Sequence, residues 1–337
     1  RPRDWSSDVC SSDLGVTGST QISDIRAHLY GGQNAVPAAL GAQIIPAQFS
    51  SSGSMDLLLG AAIALLFVGL AFKVSAAPFQ GWTPDVYQGA PAPVTALLST
   101  APKAAAFAAF LRIFLVALGA SAALWSQAMW LVALLTMSIG NFAALLQTNV
   151  KRVLAYSSIA HAGYILVAFT AATDEATAAI LFYLAGYAFM NIGAFLLISH
   201  IAGPREQRTE LDDYAGLAYR SPAAAACLTV FVLSLIGIPL TAGFLGKFYV
   251  FRAALKADLL WLVILGALNS AVAAYYYLRI LVAMYMKQPT ENAPAIPAMP
   301  AGLRTVVAIC LLATLLVGVY PSLVMRLAAQ AAGWLAQ

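Results

Sequence analysis

The chain reads as a series of long apolar runs separated by short polar interruptions. A helix that crosses a bilayer needs about 20 mostly apolar residues. Windows of that size predict eight spanning helices, over 55–74, 94–118, 126–147, 152–172, 177–200, 222–256, 259–286 and 303–320. None shows the alternation, over about ten residues, that marks a strand of a membrane barrel. The sixth window is too long for one straight span. Its middle holds "IGIPLTAG" (Ile236 to Gly243), where Gly and Pro break a helix. Residues 20–54 read as a surface segment ahead of the first complete span. Residues 322–336 ("SLVMRLAAQAAGWLA") read as an amphipathic tail at the membrane interface. The predicted fold class is therefore all-α integral membrane, with a membrane domain over 55–320 and a C-terminal tail over 321–337.

Composition agrees with the pattern. The chain is 61% hydrophobic and 9% charged, with a mean hydropathy of +0.81, whereas soluble domains carry about 25% charged residues. The net charge of +4 is spread thinly, with no Lys/Arg block, and this excludes a nucleic-acid partner. Cys10, Cys227 and Cys310 are isolated, so no iron–sulfur or zinc spacing exists, and the last two read as small apolar packing residues. "RPRDWSSDVCSSDL" (Arg1 to Leu14) is polar and lacks the layout of a signal peptide. It resembles translated sequencing adapter, so residues 1–14 are expected to be foreign and the native N-terminus missing; a short native polar tail is the alternative.

Loop charge orients the spans. One side collects Lys151, Arg152, Arg205, Arg208, Arg220, Lys287 and Arg304, and the other Arg26, Arg252, Lys256 and Arg326. The richer side is predicted to be cytoplasmic, which leaves the C-terminus on the opposite, periplasmic side of a bacterial inner membrane. "REQRTELDDY" (Arg205 to Tyr214) reads as an exposed cytoplasmic loop whose charges are solvated, with a partner contact as the alternative.

A charge inside a bilayer costs about 2.5–3.5 kcal/mol or more, so an ionisable residue there is a functional candidate. Lys73 and Lys103 fall in the first two spans, His161 sits inside the fourth with Lys151 at its mouth, and Lys247 follows the break in the sixth. Each has a plainer reading. Lys73, Arg112 and Arg279 lie near enough to helix ends to snorkel. Lys151 beside Arg152 suits a positive-inside anchor. His161, with Ser157, Ser158 and Tyr164 in helical reach, suits a satisfied core histidine as well as a relay. Lys103 and Lys247 resist such readings. A buried lysine exchanges its proton more readily near neutral pH, so several across one bundle read as a proton path. No acid is placed mid-membrane: Asp56, Asp85, Asp174, Glu175 and Asp258 all fall at helix ends or in loops. The lysines are therefore expected to take an acid partner from a missing N-terminal part or a neighbouring subunit. Lys73 precedes "SAAPF" and Lys247 follows "GIPLTAGFLG", so both flank a Pro-containing break, as in transporters built from inverted repeats.

Three motifs carry a family resemblance. "FKVSAAPFQGWTPDVYQGAPAPVTALLSTAPKAAAF" (Phe72 to Phe107) resembles the signature of the antiporter-like membrane subunits of respiratory complex I. Its "WTPDVYQGAPAPVT" is similar to the subunit N branch, called subunit 2 in mitochondria and plastids. "NVKRVLAYSSIAHAGY" (Asn149 to Tyr164) and "SLIGIPLTAGFLGKFYVF" (Ser234 to Phe251) resemble the same branch. The resemblance implies two inverted five-helix repeats with broken seventh and twelfth helices. This chain then holds helices seven to fourteen, and residues 15–54 hold the end of the sixth plus a surface loop. It also implies that Lys73, Lys103, Lys151 and Lys247 match the family lysines of helices seven, eight, ten and twelve, with an acid partner for Lys73 on helix five. NADH and quinone are implied for the whole complex, with no cofactor bound by this chain. Other complex I membrane subunits, adjacent antiporter-like subunits among them, are the implied partners. The sequence holds no GxGxxG fingerprint, cysteine cluster or haem-ligand pair. Three rivals remain open. They are a subunit of a multi-subunit sodium/proton antiporter, a solute transporter with a site at the repeat interface, and a passive scaffold, which leaves three mid-membrane lysines unexplained.

Overall fold

The structure, a computed structural model, describes Ile22 and residues 53–289 and 296–335. The expectations for residues 1–14 and most of 15–54 lie outside the described residues. The described residues contain no strand, only one isolated bridge between Asn149 and Glu210. In chain order the α-helices are α1 (Gly53–Val74), α2 (Trp82–Gly89), α3 (Ala92–Leu98), α4 (Ala101–Phe110), α5 (Ala122–Leu145), α6 (Val150–Ala171) and α7 (Asp174–Ala202). They continue with α8 (Leu217–Arg220), α9 (Pro222–Ile236), α10 (Ala242–Lys256), α11 (Leu260–Met286), α12 (Ala301–Val319) and α13 (Ser322–Leu335).

Among the described residues, six helical segments are long and apolar enough to cross a membrane, and two shorter apolar helices, Leu58–Val74 and Pro222–Ile236, accompany them. The predicted sixth span divides at 237–241 into α9 and α10, as its Gly and Pro require. The predicted second span differs from one smooth helix. It divides at Ser99 and Thr100 into α3 and α4, with Pro102 near the start of α4, and ends in a π-helical turn over Leu111–Ala117. Pro102 has no N–H to continue the ladder of α3, so the chain restarts there.

Helix α6 is the axis of the bundle. It contacts α2, α5, α7, α10 and α11, and nearly all of its residues are buried. Its small residues permit this. A Cβ on Gly163 would meet the backbone of Met137 on α5, and Gly140 lies equally close to the backbone of Ala160. Small residues let helix backbones approach closely, which is how membrane helices associate without a hydrophobic drive between them. Tail helix α13 lies against α7, with Val324, Met325 and Ala328 on Phe182 and Val317.

The two breaks keep their backbone groups bonded. After α1, Ser75 turns at φ 64° and Ala76 N–H donates to Ala71 O (2.8 Å). Ala77 N–H donates to Thr136 Oγ1 (2.9 Å) and Thr83 Oγ1 to Ser75 Oγ (2.7 Å). After α9, Gly237 turns at φ 94° and Gly243 N–H donates to Ser234 Oγ (3.2 Å). Irregular backbone inside a membrane needs this internal bonding.

Candidate functional site: a polar chain along helix α6

Lys247 sits on α10 one turn past the second break. Its ammonium donates to Ile236 O (2.8 Å), Leu235 O (3.3 Å) and Ser270 Oγ (2.8 Å). The two carbonyls are the free C-terminal acceptors of α9, where the helix dipole favours a cation. A Cβ at Gly237 would come 3.3 Å from Lys247 Cδ, so the glycine serves both the left-handed turn and the lysine. The Lys247 ammonium also lies 4.8 Å from the Tyr164 ring centroid. A cavity of about 740 Å³ between α10 and α11 reaches Lys247 past Phe248, Phe251 and Ala271.

Lys103 lies in the first turn of α4, 4% exposed. It donates to both oxygens of Ser158, the carbonyl at 2.7 Å and the hydroxyl at 2.5 Å. Among the described residues, neither Lys103 nor Lys247 pairs with a carboxylate.

Between these lysines run the polar side chains of α6. Ser157, Ser158, His161 and Tyr164 follow helical spacing and share one stripe. His161 Nδ1 lies 2.6 Å from Tyr183 Oη and Nε2 lies 3.4 Å from Tyr277 Oη. Tyr277 also hydrogen-bonds Ser157 Oγ. Asn141 donates to Tyr164 Oη (3.0 Å) and accepts from Tyr276 (3.1 Å), and its amide also meets Asn269 (3.3 Å). The structure thus sets three polar groups along α6: Lys103 on Ser158, His161 with Tyr183, Tyr277 and, through Tyr277, Ser157, and Lys247 with Ser270 and the Tyr164 ring.

Lys151 stands apart from that chain. Two turns separate it from Ser158, about 10 Å along the helix. It is 2% exposed and donates to Glu206 Oε2 (2.6 Å) and Ala90 O (2.6 Å). The burial of Lys151 argues against its plainer reading as a solvent-facing anchor, and one expectation is corrected: Glu206, in the loop read as solvated, turns inward. The loop is held against the start of α6 by Val150 N–H to Thr209 O (2.7 Å) and Leu211 N–H to Thr148 O (2.8 Å). A carboxylate for one of the lysines is therefore supplied within the chain. Next to it, burial pushes the Tyr214 phenol well above its ordinary range, with Asp213 and Glu206 adding to the effect, so it stays neutral.

Lys73 is exposed, and no hydrogen bond or ion pair ties it to another described residue. Arg112 is likewise exposed. Arg279 departs from the snorkelling expectation. Its guanidinium donates to Leu145 O (2.7 Å) and Gln147 O (3.4 Å), capping the C-terminus of α5.

Residues 17–273 match the family described as NADH:quinone oxidoreductase/Mrp antiporter, TM. The chain belongs to this family. It is a membrane antiporter-like chain, all α in its described residues. A protein of Solibacter usitatus (strain Ellin6076) named NADH-quinone oxidoreductase subunit N 1 is 58% identical over 273 residues, 81% of this chain and 56% of that protein. A chain in respiratory complex I from Thermus thermophilus with bound aureothin is 35% identical, with a TM-score of 0.73 over 95% of this chain and 64% of that one. A chain in the Mrp complex from Dietzia sp. DQ12-45-1b shares the fold, with a TM-score of 0.80 at 22% identity over 98% of this chain and 65% of that one. The chain spans little more than half the length of the curated relative it matches.

Within this antiporter-family chain, sequence reasoning missed Tyr183, Tyr276, Tyr277, Asn141 and Asn269. A signal existed in "AYYYLR" (Ala274 to Arg279), three phenols in the middle of a span. A buried Tyr hydroxyl usually seeks a partner, but hydropathy counts the ring and not the hydroxyl.

Proposed function

We propose that this chain is a membrane subunit of a proton-translocating NADH:quinone oxidoreductase, the subunit N type, in a bacterial inner membrane. In this reading it moves protons through the buried lysines while quinone is reduced in other subunits. It binds no cofactor itself and works beside other membrane subunits of that complex. Its C-terminus faces the periplasm. Lys73 exchanges its proton with an acid outside the described residues, Lys103 and Lys151, aided by His161, relay, and Lys247 passes the proton towards the exit or the next subunit.

The observation that carries this reading is the pairing of Lys103 and Lys247 with neutral acceptors only, Ser158, Ser270 and backbone carbonyls, along one hydroxyl-rich stripe. Such acceptors hold either the ammonium or the amine, since both keep an N–H to donate. A carboxylate would favour the charged form alone. The 58% identity to the Solibacter protein supports the oxidoreductase over a sodium/proton antiporter.

The test is Lys247→Ala in the assembled complex that carries this chain, with proton pumping and NADH:quinone turnover both measured. Pumping is expected to fall by tenfold or more, with turnover falling beside it. Wild-type coupled pumping in a properly assembled complex removes Lys247 from the path.

A further inference from the structure

A lysine at the second position of a helix is in the wrong place electrostatically. The positive end of the α6 dipole and the Lys151 ammonium repel each other. The side chain is also buried, so water cannot screen the repulsion. Something must compensate it, and the structure holds one carboxylate there.

Glu206 uses both of its oxygens. Oε2 takes the Lys151 ammonium at 2.6 Å. Oε1 accepts the N–H of Ala92 at 2.5 Å, at the start of α3. The ammonium in turn reaches Ala90 O, at the end of α2. One ion pair thus joins the α2–α3 corner, the start of α6 and the loop after α7. The loop is shaped to deliver it, because Arg205 (φ 63°) and Glu206 (φ 50°) both hold the left-handed region without being glycine. Strain of that kind persists where the surroundings fix it, and it clusters at functional sites.

The neighbouring charges are otherwise engaged. Arg152 on α6 pairs with Asp85 of α2 at 2.8 Å. Glu210 accepts from Asn149, and Asp213 accepts the Glu210 N–H. Arg208 donates to Ala202 O. Among the described residues, Glu206 is the carboxylate that meets Lys151.

We infer that Glu206 is the positioning residue for Lys151, holding its ammonium aimed at the α2–α3 corner at the cytoplasmic mouth of the relay. This rests on the relay reading proposed above. Lys103 and Lys247 have neutral partners, whereas Lys151 is held by a carboxylate that also fixes the corner through Ala92 N–H.

The test uses the assembled complex carrying this chain, with pumping followed in Glu206→Gln, Glu206→Asp, Lys151→Gln and the Lys151→Gln/Glu206→Gln double variant. Gln retains an acceptor for Ala92 N–H but not the charge. Glu206→Gln is expected to slow pumping at least fivefold. Glu206→Asp is expected to restore part of the rate. In the Lys151→Gln background, Glu206→Gln is expected to add nothing, since coupled residues are not additive. An assembled Glu206→Gln complex that pumps at the wild-type rate overturns the inference, as does the same fold-loss with and without Lys151. If Glu206→Gln does not assemble, the double variant decides. Its assembly supports the pair, because no buried ammonium is then left alone, and its failure to assemble overturns it. A wild-type complex that does not pump defeats the relay reading itself. Residual pumping by Lys151→Gln, with a further loss when Glu206→Gln is added, overturns the inference while leaving the relay reading standing.

Discussion

The hydroxyl of Tyr277 joins Ser157 to His161 within the candidate path. It alone touches both Ser157 and His161 (3.4 Å from Nε2) from α11. Tyr277→Phe removes that one oxygen and keeps the ring, so packing against Tyr276 survives (centroids 4.5 Å apart). Ser157 then loses its phenol partner in a fully buried site. An unsatisfied buried polar group costs about 1–3 kcal/mol. If the same link carries protons, a penalty of that size on the barrier slows pumping about 5- to 150-fold, at 1.36 kcal/mol per factor of ten. Tyr285→Phe is the control. It lies on the same helix, but its hydroxyl meets Thr229 at an exposed position, away from Ser157 and His161. The assay is proton uptake per quinone reduced by the assembled complex in sealed vesicles. Tyr277→Phe is expected to pump at least fivefold more slowly while Tyr285→Phe stays within about twofold of wild type. Equal rates for the two variants, or a wild-type rate for Tyr277→Phe, refute the path through this hydroxyl.

Two further variants separate structure from transport. Arg279→Ala removes the donor that caps α5 at Leu145 O and Gln147 O. It is expected to lower stability by about 0.5–2 kcal/mol, the range for a lost cap, read as an earlier thermal transition with the pumping ratio unchanged; a changed ratio at full assembly would place Arg279 in the path. Gly163→Val drives a side chain into the Met137 backbone and is expected to destabilise by about 1–3 kcal/mol, as overpacking does. A thermal transition equal to wild type would show that α5 and α6 yield more easily than their contact indicates.

Much of the architecture was legible because bilayer physics is simple. A run of about 20 apolar residues has few alternatives, and the Gly–Pro interruption at 236–243 announced the break beside Lys247. Less obvious was the restart at Ser99 and Thr100. Pro102 was its signal, but the apolar window ran on through it. The π-helical turn over Leu111–Ala117 has no signal in composition. At the site, Lys103, Lys247 and His161 were visible as polar groups in apolar runs. Their tyrosine partners were hidden because a phenol scores as hydrophobic until its hydroxyl is placed. The ion pair of Lys151 was hidden for a different reason. Its partner lies 55 residues away in a loop rich in charge, and no local pattern distinguishes the one carboxylate that turns inward from those that stay in water. Arg279 failed similarly, because its acceptors are carbonyls at a helix end more than 130 positions earlier.

The partners of the lysines divide them into two kinds. Lys103 and Lys247 are held by carbonyls and hydroxyls, so the network around each survives the loss of a proton. At Lys247 the break itself supplies the acceptors, since an unbroken α9–α10 helix would have its Leu235 and Ile236 carbonyls already bonded within the ladder. The broken helix and the lysine are therefore one device, and removing the break would leave the ammonium only Ser270 Oγ and the Tyr164 ring. Lys151 is held by a carboxylate, which stabilises its charge against the positive end of α6. A chain of groups that only exchange protons has no preferred state at its mouth. Under the proposed relay, the Lys151–Glu206 pair, tied through Ala90 and Ala92 to the corner between α2 and α3, makes the mouth sensitive to movement of that corner. Helix α2 connects that corner to the break after Lys73. Under the same reading, motion at the first break reaches Lys151 through α2 and one ion pair.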